Sequence, residues 1–252
     1  IHRQSEESIK AGNIYLLYTV SGGALLLVAI AWLYSITGSL DFREGGYLAP
    51  YILSHSLELT IIFFMFIASF GVKAAIFPLH GWLPKAMVAP APVSALLHAV
   101  AVVKAGAFGI VRTVYEVFGI ESAYALWLLY PLAILAAATI LFGSIMAIFQ
   151  DDLKRRLAYS TVSQVSYIIL GVAIFGPLGT IGGLVHLVHQ GVMKITLFFC
   201  AGLFAETLGV SKVSQMDGLG RRMPLSSVAF SIGAIGMIGV PPVAGFITKW
   251  YL

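Results

Sequence analysis

Apolar residues in this chain come in runs too long for the faces of a soluble core. Stretches near the twenty residues that carry a helix across a bilayer recur at Ile14–Tyr34, Tyr51–Ile76, Pro92–Tyr115, Leu126–Phe149 and Ile181–Phe204. A shorter one covers Val162–Phe175, and a last one starts at Leu225. The pattern predicts seven spans separated by a polar start (residues 1–12), the linker SITGSLDFREGGYLAP, the charged loop QDDLKRRLAYST, the turn GPLG and the loop AETLGVSKVSQMDGLGRRMP. Two of the seven are expected to be broken, around Phe77–Pro84 and Val240–Gly245, because proline lacks a backbone donor and clashes with the preceding turn. Backbone freed at membrane depth is tolerated only where protein buries it or water lines it. The two breaks echo each other as GVKAAIFPLHGW and GVPPVAGFITKW, each placing proline near a lysine. Paired broken helices are a pointer to inverted-repeat transporters.

Composition agrees with the pattern. Apolar residues make up 59% and charged residues 10%, against about a quarter charged in soluble domains, and the mean hydropathy is +0.94. The chain therefore reads as an all-α polytopic membrane protein, one transmembrane domain over residues 1–252. Its net charge of +4 is no nucleic-acid signal, because the charges are divided between loops. Seven crossings put Arg3, Lys10, Lys85, Lys154, Arg155, Arg156, Lys212, Arg221 and Arg222 on one side, nine in all, and only Arg43 and Arg112 on the other. By the positive-inside rule the amino-terminal end and the DDLKRR and GRRMP loops are then cytoplasmic, and cysteines at Ser160 and Ser214 are expected to label from that side. The single Cys200 excludes a disulfide framework and any Cys-based cluster or zinc site. With no initiator Met, no secretory signal and an end inside an apolar segment, the sequence reads as an internal piece of a longer protein.

Nine and two leave four of the fifteen basic residues: Lys73, Lys104, Lys194 and Lys249, all within predicted spans. A charge at mid-membrane costs at least about 2.5–3.5 kcal/mol and marks a functional site by default. Lys85, in a loop, is expected only to snorkel. His186, Gln190 and Lys194 recur at i, i+4 and i+8, so they share a helix face, and His98 and Lys104 stand six apart on the helix after the first break. Together these residues form a candidate proton line, since histidine titrates near neutrality. His55 and His189 fit interhelical hydrogen bonding better. Glu58 lies fifteen residues before Lys73, about 22 Å along a helix, and cannot pair with it there. Asp151, Asp152, Arg155 and Arg156 read as a solvated turn.

The strings PLHGWLPKAMVAPAPVSALLHAVAVVKAG, DDLKRRLAYSTVSQVSY and GVPPVAGFITKW resemble the antiporter-like membrane subunits shared by respiratory complex I, membrane-bound hydrogenases and Mrp-type cation/proton antiporters. The PPVAGFITKWYL ending is most similar to the D subunit of Mrp antiporters. The resemblance implies an inverted-repeat fold with facing broken helices and a hydrated polar axis. It places the pumping lysine at Lys73, axis residues at His98, Lys104, His186 and Lys194, and the second broken-helix lysine at Lys249. It also implies other membrane subunits as partners in a hetero-oligomeric complex of a prokaryotic inner membrane. The transported ions would be protons, with Na+ or K+ as exchange candidates, and no cofactor, metal or nucleic acid is implied. The glutamate that the family pairs with the first lysine falls upstream of this sequence. Gln190 stands where many members carry histidine.

Three functions compete. The first is ion translocation, either in an Mrp-type antiporter or in a redox-driven pump such as NADH-quinone oxidoreductase or a membrane-bound hydrogenase; by itself the chain would not be catalytic. The second is a bis-histidine haem protein using His98, His186 or His189, which an absorption spectrum tests. The third is a structural subunit whose polar axis is vestigial, which single lysine substitutions in a transport assay test.

Overall fold

The computed structural model describes residues 5–174 and 176–252; Arg3 and Phe175, used in the charge count and the span limits above, lie outside them. Among the described residues the chain is helical from end to end. The first helices are α1 (Glu6–Thr37), α2 (Ile52–Ala74), α3 (Trp82–Lys85), α4 (Ala91–Ala99), α5 (Val102–Arg112) and α6 (Ile120–Ala125). They are followed by α7 (Leu129–Ile148), α8 (Leu153–Ala173), α9 (Pro177–Leu208), α10 (Leu219–Arg222), α11 (Pro224–Ile238) and α12 (Gly245–Tyr251). Among the described residues five stretches are long and apolar enough to cross a membrane: Glu6–Thr37, Ala49–Val88, Ala91–Phe118, Leu129–Ile148 and Pro177–Leu208. The second and third of these are bent, each joining more than one helix.

A break falls near each expected place, but the first covers 75–78 and not Phe77–Pro84, since Leu79–Gly81 and Trp82–Lys85 are helical and Pro84 sits in a first turn, where no donor is needed. Helix α2 stops where Ala75 turns left-handed (φ 57°) and caps the carbonyls of Gly71 and Val72, and helix returns at Leu79. Trp82 plugs the gap, its indole N–H donating to the Val72 carbonyl at 2.7 Å. Helix α11 stops at Ile238 with Gly239 left-handed, and α12 resumes at Gly245.

Three other expectations need correction. The third span is not one helix: at Val100 and Ala101 the backbone leaves helical geometry, and both amides turn back to the Leu96 carbonyl. No proline or glycine marks this break, so only packing reveals it. The charged loop is much shorter than expected. Asp152 accepts the Arg155 amide at 2.8 Å as an N-cap, so α8 begins at Leu153 and Lys154, Arg155 and Arg156 are helical. An acceptor at the N-cap satisfies a donor that the first turn leaves open. For the same reason α1 starts earlier than Ile14, at Glu6, where Ser5 accepts the Ser8 amide and two glutamates face the positive helix end.

The core is α8, packed between α7 and α9. It starts with Lys154, Arg155 and Arg156 and buries the hydroxyls of Thr161, Ser163 and Ser166. Thr161 and Ser166 donate to carbonyls one turn back, and Ser163 pairs with Ser144 of α7. Helix α1, by contrast, buries only Gly22, Ala29 and Leu33 and presents a long apolar flank. At Gly106 of α5 a side chain would strike the backbone of Phe70, Lys73 and Ala74, so α5 and the end of α2 touch through main chain, a small-residue contact characteristic of membrane helices.

Hydrogen bonds join loops in two places. At one, the Arg43 amide donates to Glu116 and the Tyr47 amide to Val117. Arg112 pairs with Glu116 and lies over the Phe42 ring. At the other, Leu153 donates to Ser211 and Val213 to Asp151. The Asp151 carboxylate there accepts the amide and hydroxyl of Ser214 at 3.0 and 2.9 Å. These two donors hold the Asp151 carboxyl below the usual carboxylate range. Arg156 closes the end of α7 through the Ile148 and Gln150 carbonyls, each at 2.9 Å. Of the residues expected to form a solvated turn, Asp151 is exposed and ties to Ser214, Asp152 caps α8, and Arg155 and Arg156 belong to its first turn.

Candidate functional site

Helix α9 carries the polar face that its i, i+4, i+8 spacing predicts: His186, Gln190 and Lys194 are all fully buried. Around it the site residues fall into two groups. In the first, the Lys194 ammonium donates to the Leu157 carbonyl at 3.0 Å and to the Ser160 hydroxyl at 2.8 Å, both on α8. His98, buried at the end of α4, packs on Phe198 of α9 with ring centroids 4.8 Å apart and the planes tilted by 36°. Lys194 is the charge that acts on it. In the second group, Lys104 at 6% exposure donates to the Leu187 carbonyl of α9. His186 reaches Thr248 of α12 at 3.2 Å through Nδ1, and Lys249 and Lys104 are the lysines whose charges act on it. The break at Val100–Ala101 separates His98 from Lys104, so each serves a different group.

Among the described residues no carboxylate takes part. The ion pairs there are Lys10–Glu6, Arg43–Asp41, His55–Glu58 and Arg112–Glu116, all away from these lysines. Glu58 pairs with His55, in keeping with its distance from Lys73. Several buried polar atoms on the line also lack a protein partner: both ring nitrogens of His98, Nε2 of His186, Nδ1 of His189 and both amide atoms of Gln190. Buried polar atoms in such a state call for water or a mobile partner.

Lys73 stands apart. It is half-buried in the last turn of α2 beside left-handed Ala75, and its backbone abuts Gly106, two residues from Lys104. Among the described residues its ammonium has no hydrogen-bond or ion-pair partner. Lys249 is half-buried just after the second break, its ammonium 3.0 Å from the centroid of the Tyr167 ring. Lys85 is exposed, as expected.

Reading the sequence alone missed the acceptors. Ser160, expected to label from the cytoplasm, is instead half-buried against Lys194, whereas Ser214 is exposed. Tyr167, Thr248 and the carbonyls of Leu157 and Leu187 had no signal, because a lone hydroxyl, ring or carbonyl in an apolar helix carries none.

A buried line of lysines and histidines with no carboxylate partner among the described residues, set between two broken helices, marks a helical membrane subunit with a polar interior. The family described as NADH:quinone oxidoreductase/Mrp antiporter, TM, matches residues 1–252, and the chain belongs to it. Its relatives include NADH-quinone oxidoreductase subunit N of Desulforudis audaxviator, 42% identical over 97% of this chain and 48% of that protein. Among solved structures, a chain of the Mrp complex from Dietzia sp. superposes with a TM-score of 0.88 at 29% identity, covering 99% of this chain and 45% of that one. A chain of the membrane-bound sulfane sulfur reductase, an archaeal respiratory membrane complex, gives 0.86 at 29% identity, over 99% and 50%. The sequence thus spans about half the length of these relatives.

Proposed function

We propose that this chain is part of a subunit that moves protons along the line Lys73, Lys104, His186, Lys194 and Lys249, with His98 beside Lys194. The observation that carries this is how the buried lysines are held. Lys104 and Lys194 rest on carbonyls and a hydroxyl, not on carboxylates. An ammonium so held keeps part of its solvation through hydrogen bonds yet pays for its charge through burial, so losing the proton leaves no bare anion behind. Each lysine is therefore able to be loaded and emptied. The unpartnered atoms of His98, His186 and Gln190 are where water would connect them.

The two breaks give this line its exits, with Lys73 before the first and Lys249 after the second. We read α8 and the broken pair α11–α12 as crossing the membrane, which makes seven spans, and the whole as one repeat and the start of a second in an inverted-repeat fold. The basic bias supports placing the DDLKRR and GRRMP loops in the cytoplasm of a prokaryotic cell. We favour a setting in which protons are exchanged for Na+ or K+ in an Mrp-type complex, with this protein in the place of the D subunit. The fit to the Mrp complex and the PPVAGFITKWYL ending support it. The identity to a subunit of an NADH-quinone oxidoreductase favours a second setting, pumping driven by electron transfer. Either would require other membrane subunits.

The test is proton flux in proteoliposomes holding the complex with the full-length subunit. Lys194→Ala should reduce flux more than tenfold while the complex still assembles. Flux at the wild-type level in that variant would return the polar line to a vestigial role. A Na+ gradient that drives proton movement with no electron donor would select the antiporter setting, and a strict need for a donor would select the pump.

A further inference from the structure

Lys249 raises a question that the other lysines do not. Lys104 and Lys194 each find a carbonyl, but the Lys249 ammonium has neither a carbonyl nor a carboxylate among the described residues; it lies on the face of Tyr167. The tyrosine belongs to α8, the packed centre of the molecule, and sits half-buried one turn beyond Ser163. The contact is built from both sides. Gly239, which ends α11, has a positive φ of 88°, and a side chain there would run into the Lys249 stem, 2.5 Å from Cγ. The missing side chain of Gly239 is thus the slot through which the stem passes to the ring. Thr248, the neighbour of Lys249, is fixed to His186 at 3.2 Å, which sets the rotation of α12. The edge of His186 in turn meets the same tyrosine, with ring centroids 5.9 Å apart at 66°.

We propose that Tyr167 is a positioning residue for the second broken helix, holding the charged form of Lys249 on its ring beside His186. This rests on the reading of the chain as an ion-translocating subunit for its consequence, though not for its geometry. The π-face of an aromatic ring is negative, and a cation over it is stabilised more strongly once desolvated. A neutral amine has no such attraction. Tyr167 therefore favours the loaded state of Lys249 and loses its hold when the proton leaves, which frees the side chain to swing toward the break. The groups beside Lys249 are the Tyr167 ring from α8 and, through Thr248, His186 from α9, on which Lys104 from α5 and His189 from α9 also act. The other charged groups among these are cationic or neutral, so the ring is the source of attraction. The hydroxyl plays no part, which predicts that the ring alone suffices.

The test grades the ring's electron density at constant shape. In the full-length subunit in its native complex, Tyr167→Phe should leave proton flux within about twofold of wild type. Phenylalanines carrying one, two and three fluorines at position 167 should lower flux stepwise, and Tyr167→Leu should lower it by about fivefold, as much as loss of Lys249 itself and the factor that corresponds to about 1 kcal/mol of cation–ring attraction. A second readout does not depend on transport. Isotopic reductive methylation, read by mass spectrometry, reports the neutral amine, and labelling of Lys249 should rise along the same fluorine series. If labelling follows the series but the wild-type complex moves no protons, Tyr167 keeps its role and the translocation reading fails. If labelling is flat across the series, or if Tyr167→Phe behaves like Tyr167→Leu, the ring does not hold the charge and the inference is overturned.

Discussion

The two broken helices use the same device with different outcomes. Each first half ends in a left-handed residue, Ala75 or Gly239, and each has a lysine within a few residues of the gap. At the first break the lysine precedes the gap, and its head finds no partner among the described residues. Trp82 fills the gap and donates a second hydrogen bond to the Val72 carbonyl that Ala75 already caps, so the break is sealed by protein. At the second break the lysine follows the gap, threads past Gly239 and rests on an aromatic face. Pro241 and Pro242 there remain exposed. The difference teaches that a helix break supplies room for a charge but does not decide how that charge is held. That is decided by whichever helix packs opposite.

The strongest way to sharpen the comparison is to remove each lysine. Lys73 has no fixed partner to share its work, so Lys73→Ala should lower proton flux in vesicles more than tenfold with assembly retained. Lys73→Arg should fail as well, because arginine keeps its proton at any physiological pH. Wild-type pumping by Lys73→Arg would mean that this residue never releases a proton. Lys249→Ala should cost less, about fivefold, since His186 and Tyr167 remain at that end; a loss equal to that of Lys73→Ala would erase the distinction between the breaks.

The left-handed residues should respond with opposite signs. Gly239→Ala puts a side chain into a disfavoured backbone region, at about 1–2 kcal/mol, and into the Lys249 stem besides. The complex should melt lower and Lys249 should be displaced. Ala75→Gly relieves the same backbone cost but loosens the unfolded chain by about 0.5–1 kcal/mol, so its melting point should stay level or rise slightly. A fall in melting point on Ala75→Gly would show that its methyl group, fully buried, matters more than its conformation.

The smallest effects lie outside the membrane. Ser214 holds the Asp151 carboxyl low, so the stability this tether adds is complete at neutral pH. It is lost as pH falls through that depressed value, when the carboxylate gains its proton. Melting curves of Asp151→Asn should therefore sit below wild type at pH 7 and merge with it in acid; an unchanged gap at low pH would show that charge is not what ties the loops. Lys85→Ala, a change at an exposed position, should leave flux and melting unchanged.

Much of this was legible in the amino-acid order. Long apolar runs with few charges leave only membrane helices as a way to satisfy the backbone, and the prolines by themselves named both breaks. The spacing of His186, Gln190 and Lys194 placed them on one buried face. These are local or additive properties, so sequence is enough to determine them. The break at Val100–Ala101 was not legible, because it arises where α4 and α5 each pack on a different neighbour and no residue type announces it. Nor were the partners of the lysines. The Leu157 and Leu187 carbonyls belong to every helix alike, and Ser160 and Tyr167 become a hydrogen-bond acceptor and a cation's seat only because α8 lies against α9 and α12. Which charge meets which acceptor depends on contacts between residues far apart in the chain, and only the tertiary structure decides those.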